Sequence, residues 1–282
     1  MVERIIVSLT TWSKRIQNIP IVLDTIFNQT LPPDFVVINL AYEEVVPENI
    51  QQYIDEHDIE VNRVPDTKVY KKLIPTLKRY PNDCIITIDD DFLYPAGMIE
   101  DFINMHKKYP QHPITGNRAV MGGMLCHCGC ASLVMASHFG NQFDNIDADV
   151  LSHCTSDDVV YTYFANKAGH PYINSTGLYF YNMTQYNNVD GYSAENIDFQ
   201  NGIQESLDYL VSRFGSISNF FSGYVPDAYI AHILQTLCAQ SVEREILDKA
   251  RKEITDTTTF KLGYMLLTPI RWLKKTRIRM KL

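Results

Sequence analysis

Cys84-Ile85-Ile86-Thr87-Ile88-Asp89-Asp90-Asp91-Phe92-Leu93-Tyr94-Pro95 is the stretch on which the reading of this chain turns. A short, continuous apolar run of this kind is the pattern of a strand covered on both faces. It runs straight into three carboxylates. Open α/β sheets bind ligands beyond the carboxyl ends of their strands, and the three acids stand at such an end. Adjacent carboxylates repel one another unless something positive joins them. A hard divalent cation, Mn²⁺ or Mg²⁺, suits oxygen ligands of this type. A solvated acidic turn that merely ends a strand is the plain alternative. The buried strand before the acids and Tyr94-Pro95 after them favour a ligand site.

Upstream of this stretch the chain alternates strand and helix signals. Ile5 to Leu9 reads as a buried strand. Ile19, Val22, Leu23, Ile26 and Phe27 then recur at helical spacing, with Pro20 in the first turn and Pro32-Pro33 as a stop. Phe35 to Leu40 is a second strand. Pro47 opens a helix with Ile50, Tyr53, Ile54 and His57 on one face. Ile59 to Val64 is a third strand, and Val69, Leu73 and Leu77 mark a helix ending near Tyr80-Pro81. This order predicts an α/β fold with a mainly parallel sheet flanked by helices. Downstream, Ser156 is placed to cap a helix over residues 157–167, with Val159, Val160, Tyr163 and Phe164 facing inward. Residues 174–202 read as loops and short strands, and helices resume near 204–214 and 227–252.

Composition narrows the function classes. The 282 residues are 45% hydrophobic and 21% charged, enough for one large core. Twenty-five Lys and Arg stand against 33 Asp and Glu, a net charge of −8. The excess is uneven: residues 261–282 hold seven basic residues and no acid, so residues 1–260 carry −15. An acidic body repels phosphates, so no nucleic-acid partner is expected. The start of the chain carries no signal-peptide pattern, and no apolar run is long enough to span a bilayer. The six cysteines match no secreted framework, so a reduced, cytoplasmic setting is expected. In the tail, Leu266, Leu267, Ile270, Trp272 and Leu273 lie among basic residues, a pattern that suits an anionic membrane surface. The expected division is a catalytic domain over 1–255 and a basic amphipathic tail over 256–282.

Four blocks carry a family resemblance: Val7 to Ile16 (VSLTTWSKRI), Phe27 to Pro33 (FNQTLPP), Tyr70 to Leu77 (YKKLIPTL) and Ile86 to Pro95 (ITIDDDFLYP). In this order they resemble bacterial GT-A glycosyltransferases related to the family 2 enzymes of surface polysaccharides, capsule and lipopolysaccharide among them. The resemblance implies a GT-A fold and a DxD motif, with Asp89 and Asp90 on the donor side and Asp91, with Asp89, on the metal. It implies that the loop Thr10 to Arg15 cradles the nucleotide, Thr10, Thr11 and Arg15 contributing. It sets Lys71 and Lys72 near the phosphates or ribose; a solvated helix face is the alternative for both lysines.

Inverting transfer needs a carboxylate that takes the acceptor hydroxyl's proton. Such enzymes often carry it as an acidic pair at a helix start, which by analogy points to Asp157-Asp158, with Asp158 as the base. Acids in a first helical turn are also favoured by the helix dipole alone. The implied reaction moves a sugar from a nucleotide-diphosphate donor, UDP by default, to a glycan or lipid-linked acceptor. Two alternatives are a metal-dependent nucleotidyltransferase and a non-catalytic sugar-nucleotide binding module. The first lacks a Gly-rich basic loop near residue 10, and the second sits poorly with intact acids. Cys126, Cys128 and Cys130 alternate as on one strand face and lack structural zinc spacing. His170 is a further candidate metal ligand. Tyr179, Tyr181, Tyr186 and Tyr192 are candidate stacking residues for a sugar.

Overall fold

A computed structural model describes residues 4–116, 118–121, 124–127, 130–175, 181–182 and 197–217. The basic tail, the expected helix over 227–252, Cys128, Tyr179, Tyr186 and Tyr192 lie outside the described residues.

Four strands build the first half of a seven-stranded sheet: β1 (Ile5–Thr10), β2 (Phe35–Ala41), β3 (Glu60–Val64) and β4 (Cys84–Ile88). β1 pairs in parallel with both β2 and β4, and β2 with β3. The interleaved helices are α1 (Ile19–Phe27), α2 (Glu48–Glu56) and α3 (Ile74–Arg79). Every residue of β4 is buried, because β1 flanks it on one side and β9 (Ala131–Val134) on the other. The remaining strands are β5 (Phe92–Leu93), β6 (Ile114–Thr115), β7 (Arg118–Met121), β8 (Met124–His127), β10 (Ile173–Asn174) and β11 (Tyr181–Asn182). The sheet order is β10-β6-β9-β4-β1-β2-β3, with β9 antiparallel to both neighbours. The expected α/β fold with a mainly parallel sheet is present.

Between β1 and β4 the chain leaves in opposite directions, toward β2 on one side and β9 on the other. That makes the crevice beyond their carboxyl ends a switch point, the usual ligand position in such sheets. Ile6, Val37, Ile85 and Val134 share one core with Tyr70, Leu77, Phe139, Val160 and Phe164. Strand alternation points Val7, Ile38 and Ile86 to the opposite face. There α4 (Met98–Lys108) meets β6 and β9.

The structure departs from the sequence expectations at definite places. The helix expected around Val69 to Tyr80 is a 3-10 turn at Lys68–Lys72 followed by α3. Pro75 explains the break: without an N–H, and with its ring against the carbonyl four residues back, it cannot extend a helix begun earlier. α4, β9 and the short helix α5 (Ala148–His153) were not anticipated. Cys126 belongs to β8 and Cys130 directly precedes β9, so the two do not share one strand. The last described helix, α7 (Ile197–Phe214), begins earlier than its apolar spacing implied.

Candidate functional site

Four segments deliver the site, one of them the 3-10 turn that carries Lys72. β4 ends in Asp89-Asp90-Asp91, the β1 loop brings Thr11 and Arg15, and α6 (Asp157–Lys167) begins with Asp157-Asp158. Ser156 caps α6, its Oγ accepting from Val159 N at 3.4 Å. All residues from Asp157 to Ala165 are buried, so α6 is a core helix and not one with a solvated face. Its two leading acids are therefore buried in the first turn, where the helix N-terminus favours negative charge.

The β1 loop is pinned to the acids. Thr11 Oγ1 donates to Asp90 Oδ2 at 2.6 Å, and Asn18 Nδ2 donates to the Asp90 carbonyl at 3.2 Å. Arg15 bridges neighbours, Nη2 lying 3.1 Å from Asp90 Oδ1 and Nη1 2.8 Å from Asp91 Oδ2. Such charge-assisted contacts are the strong class of hydrogen bond. Asp90 is only 1% exposed, which makes it a structural anchor of the loop more than a surface a ligand can reach.

Lys72 joins the two acid groups. Its Nζ lies 2.9 Å from Asp89 Oδ1 and 3.1 Å from Asp157 Oδ2. Burial opposes its charge, but Asp157, Asp89 and Asp158 outweigh that and hold the ammonium well above its ordinary range. Burial pushes the Asp89 carboxyl up to about 6 against the pull of Lys72, with Asp91 adding to the rise. Burial likewise raises Asp90 and Asp91 against the opposing pull of Arg15.

Beneath Lys72 lies a polar network that the sequence reading missed. Ser8 Oγ donates to the Lys72 carbonyl at 2.6 Å, leaving its lone pairs for the hydroxyl of Thr76 at 2.7 Å. Asn39 Nδ2 donates to both hydroxyls, and Asn62 donates to Asn39 Oδ1 at 2.8 Å. The signal was present: Ser8 and Asn39 are polar residues inside apolar strand runs, and buried polar groups need partners. Tyr94 was also missed as a contributor. Its oxygen accepts from Asp89 N at 2.8 Å while its hydroxyl donates to the Cys130 carbonyl at 2.7 Å, fixing the strand end from which the acids project.

Other expected residues fall elsewhere. Thr10 Oγ1 donates to the Asn39 carbonyl at 2.7 Å, tying β1 to β2. Lys71 is buried and pairs with Asp66, not with the acid triplet; neither lysine lies on a solvated helix face. His170 Nδ1 donates to the His138 carbonyl at 3.0 Å, and its ring lies beside His112. Tyr181 pairs β11 with β5 at Leu93.

The donor set suits a divalent ion shared with a ligand. Among the described residues, five carboxylates (Asp89, Asp90, Asp91, Asp157 and Asp158) face two cations, Lys72 and Arg15, a negative excess. Each ion pair engages one oxygen of Asp89 or Asp91. Among the described residues no three His, Cys, Asp or Glu side chains form an ion cage of their own. Mg²⁺-type ions are commonly held by one or two carboxylates with substrate phosphates completing the shell.

No family model matches the chain, and no curated protein matches it. Solved structures do. The mannosyltransferase PcManGT from Pyrobaculum calidifontis, solved with GDP-Man and Mn²⁺, is 14% identical, with a TM-score of 0.53 over 94% of this chain and 84% of that one. Residues 1–349 of S. aureus TarS, solved with UDP, are 12% identical, with a TM-score of 0.45 over 63% of this chain. That match spans 60% of the TarS chain. The fold of this chain is of the GT-A type.

Proposed function

We propose that this chain is a metal-dependent glycosyltransferase that moves a sugar from a nucleotide-diphosphate donor to a hydroxyl acceptor. The observation that carries this reading is the convergence on Lys72 of Asp89, at the end of β4, and Asp157, at the start of α6. In this reading Asp89 belongs to the donor side and Asp157 to the acceptor side of the crevice at the switch point of the sheet. The GT-A fold, shared with an enzyme solved with GDP-Man and Mn²⁺, supports the same reading.

In this reading Thr11 to Arg15 form the nucleotide side, and Asp89 and Asp91 would hold Mn²⁺ or Mg²⁺ together with the donor diphosphate. A bound ion there supplies neutralisation of the charge that builds on the leaving diphosphate. Asp158 takes the proton of the acceptor hydroxyl as its oxygen bonds to the anomeric carbon and the carbon–phosphate oxygen bond breaks. Attack from the face opposite the leaving group inverts the anomeric centre. Asp157 stays paired with Lys72 and keeps the acid pair in place. UDP is the default nucleotide and a surface glycan or lipid-linked sugar the default acceptor. The basic residues of 261–282 would bring the enzyme to an anionic membrane surface from the cytoplasmic side. No described helix is long and apolar enough to cross a membrane.

A thermal-shift panel of nucleotide-sugars, each with and without Mn²⁺, tests the reading. One donor should raise the unfolding temperature with Mn²⁺ present and much less without it. Asp91→Asn should abolish that Mn²⁺ dependence. A flat response across the panel refutes the donor assignment.

A further inference from the structure

The ammonium of Lys72 is held by more than its carboxylate partners. Ser8 and Thr76 fix the backbone turn that carries it, and its side chain is 7% exposed. It therefore cannot swing freely into solvent when another cation arrives. Any ion that Asp89 coordinates must share that carboxylate with a fixed positive charge 2.9 Å from one of its oxygens. At such distances like charges repel strongly in a partly buried site.

We propose that Lys72 is a positioning residue, an internal counter-ion that holds Asp89 to Asp157 in the donor-free protein and from which a divalent cation must take Asp89. This rests on the assignment of Asp89 and Asp91 to the donor's metal. Without the lysine, the donor-side and acceptor-side acids would repel across the crevice. With it, the metal alone binds weakly. A diphosphate changes the balance, because it supplies further oxygen ligands and negative charge for both cations. Metal and donor thus arrive together, and Lys72 remains with the acceptor-side pair once Asp89 has turned to the ion.

The test is a titration with Mn²⁺ alone, followed by loss of the free Mn²⁺ resonance signal, on the full chain and two variants. Lys72→Met should bind Mn²⁺ about tenfold more tightly than the native chain, because a fixed like charge has gone. Its metal-free form should melt lower, and Mn²⁺ should raise its melting temperature more than that of the native chain. Lys72→Arg keeps the charge and should stay within about threefold of native Mn²⁺ affinity. If Lys72→Met does not fold, Lys72→Gln carries the same expectation, since an amide can bond both carboxylates without charge. A merely structural lysine would weaken or leave unchanged the Mn²⁺ affinity of the folded variants, and that result overturns the proposal. If the native chain binds Mn²⁺ with UDP while the variants show no tightening, only the role of Lys72 fails. If neither native nor variant chains bind Mn²⁺ with or without UDP, the metal-dependent donor reading fails with it.

Discussion

Thr11 donates its hydroxyl hydrogen to Asp90 across 79 residues of chain, at 2.6 Å and with both side chains buried. With the contacts of Arg15 and Asn18, that bond ties the loop after β1 to the acids after β4. Thr11→Val keeps the shape and removes the donor. It should cost about 2 kcal/mol of stability, the range for a hydrogen bond to a charged acceptor. Urea denaturation of native and variant chains measures it. The same variant should weaken any Mn²⁺-dependent nucleotide-sugar shift, because Arg15 loses the loop that aims it.

Asp158→Asn removes the proposed proton acceptor and retains its volume. Donor binding should survive, and transfer should fall by about 10²- to 10⁴-fold, the usual span for a general base. Thermal shift with the donor and a turnover assay separate the two effects. Transfer at the native rate would reassign the base.

Gly202 sits inside α7 where a Cβ would lie 2.2 Å from Thr155 Oγ1. The close approach is built in: Thr155 N donates to Ser206 Oγ at 3.0 Å, and that hydroxyl donates to the Gly202 carbonyl at 2.6 Å. Gly202→Ala should therefore destabilise by about 1–3 kcal/mol, the cost of overpacking, despite the better helix propensity of alanine. Thr155 immediately precedes the Ser156 cap, so the displacement should also lower turnover. Adding Thr155→Ala should restore much of both losses, since contacting residues couple.

His138 is fully buried. Its Nδ1 accepts from Met135 N at 3.1 Å, so the neutral ring carries its hydrogen on Nε2 and donates to the Pro110 carbonyl at 3.3 Å. Burial, with His106, His170 and His112 nearby, pushes its pKa down to about 3. His112 is lowered as well, chiefly by burial. The unfolded chain takes up these protons below about 6.5, while the folded chain refuses them. The His138 contribution to stability should thus be intact above about pH 6.5 and fall as the pH drops toward 3, by up to about 1.4 kcal/mol per pH unit, with His112 acting in the same sense and the raised Asp89, Asp90 and Asp91 carboxyls in the opposite one. Melting temperatures from pH 7 to 4 would show the slope, and His138→Gln should flatten it by one proton.

The strand ends were legible because their signal is local. Apolar runs of five to seven residues, broken by Pro20, Pro33 and Pro47, leave little choice of period. β9 was not legible: Ala131-Ser132-Leu133-Val134 is a short run whose pairing with β4 depends on residues more than 40 positions away. Asp157-Asp158 could be read as a helix start, but the burial of that whole first turn could not, because it depends on α7 packing against α6.

By itself the sequence determined that β4 would end in three acids and that a loop with Thr11 and Arg15 would follow β1, since propensity and apolar period act within a few residues. Only the tertiary structure decided which charges meet. Lys71 and Lys72 are neighbours on one 3-10 turn, yet one pairs with Asp66 and the other joins Asp89 to Asp157. Their separation follows from where Ser8, Asn39 and Thr76 clamp the turn. Coulomb interactions between buried groups depend on distances of a few ångströms that no local pattern encodes.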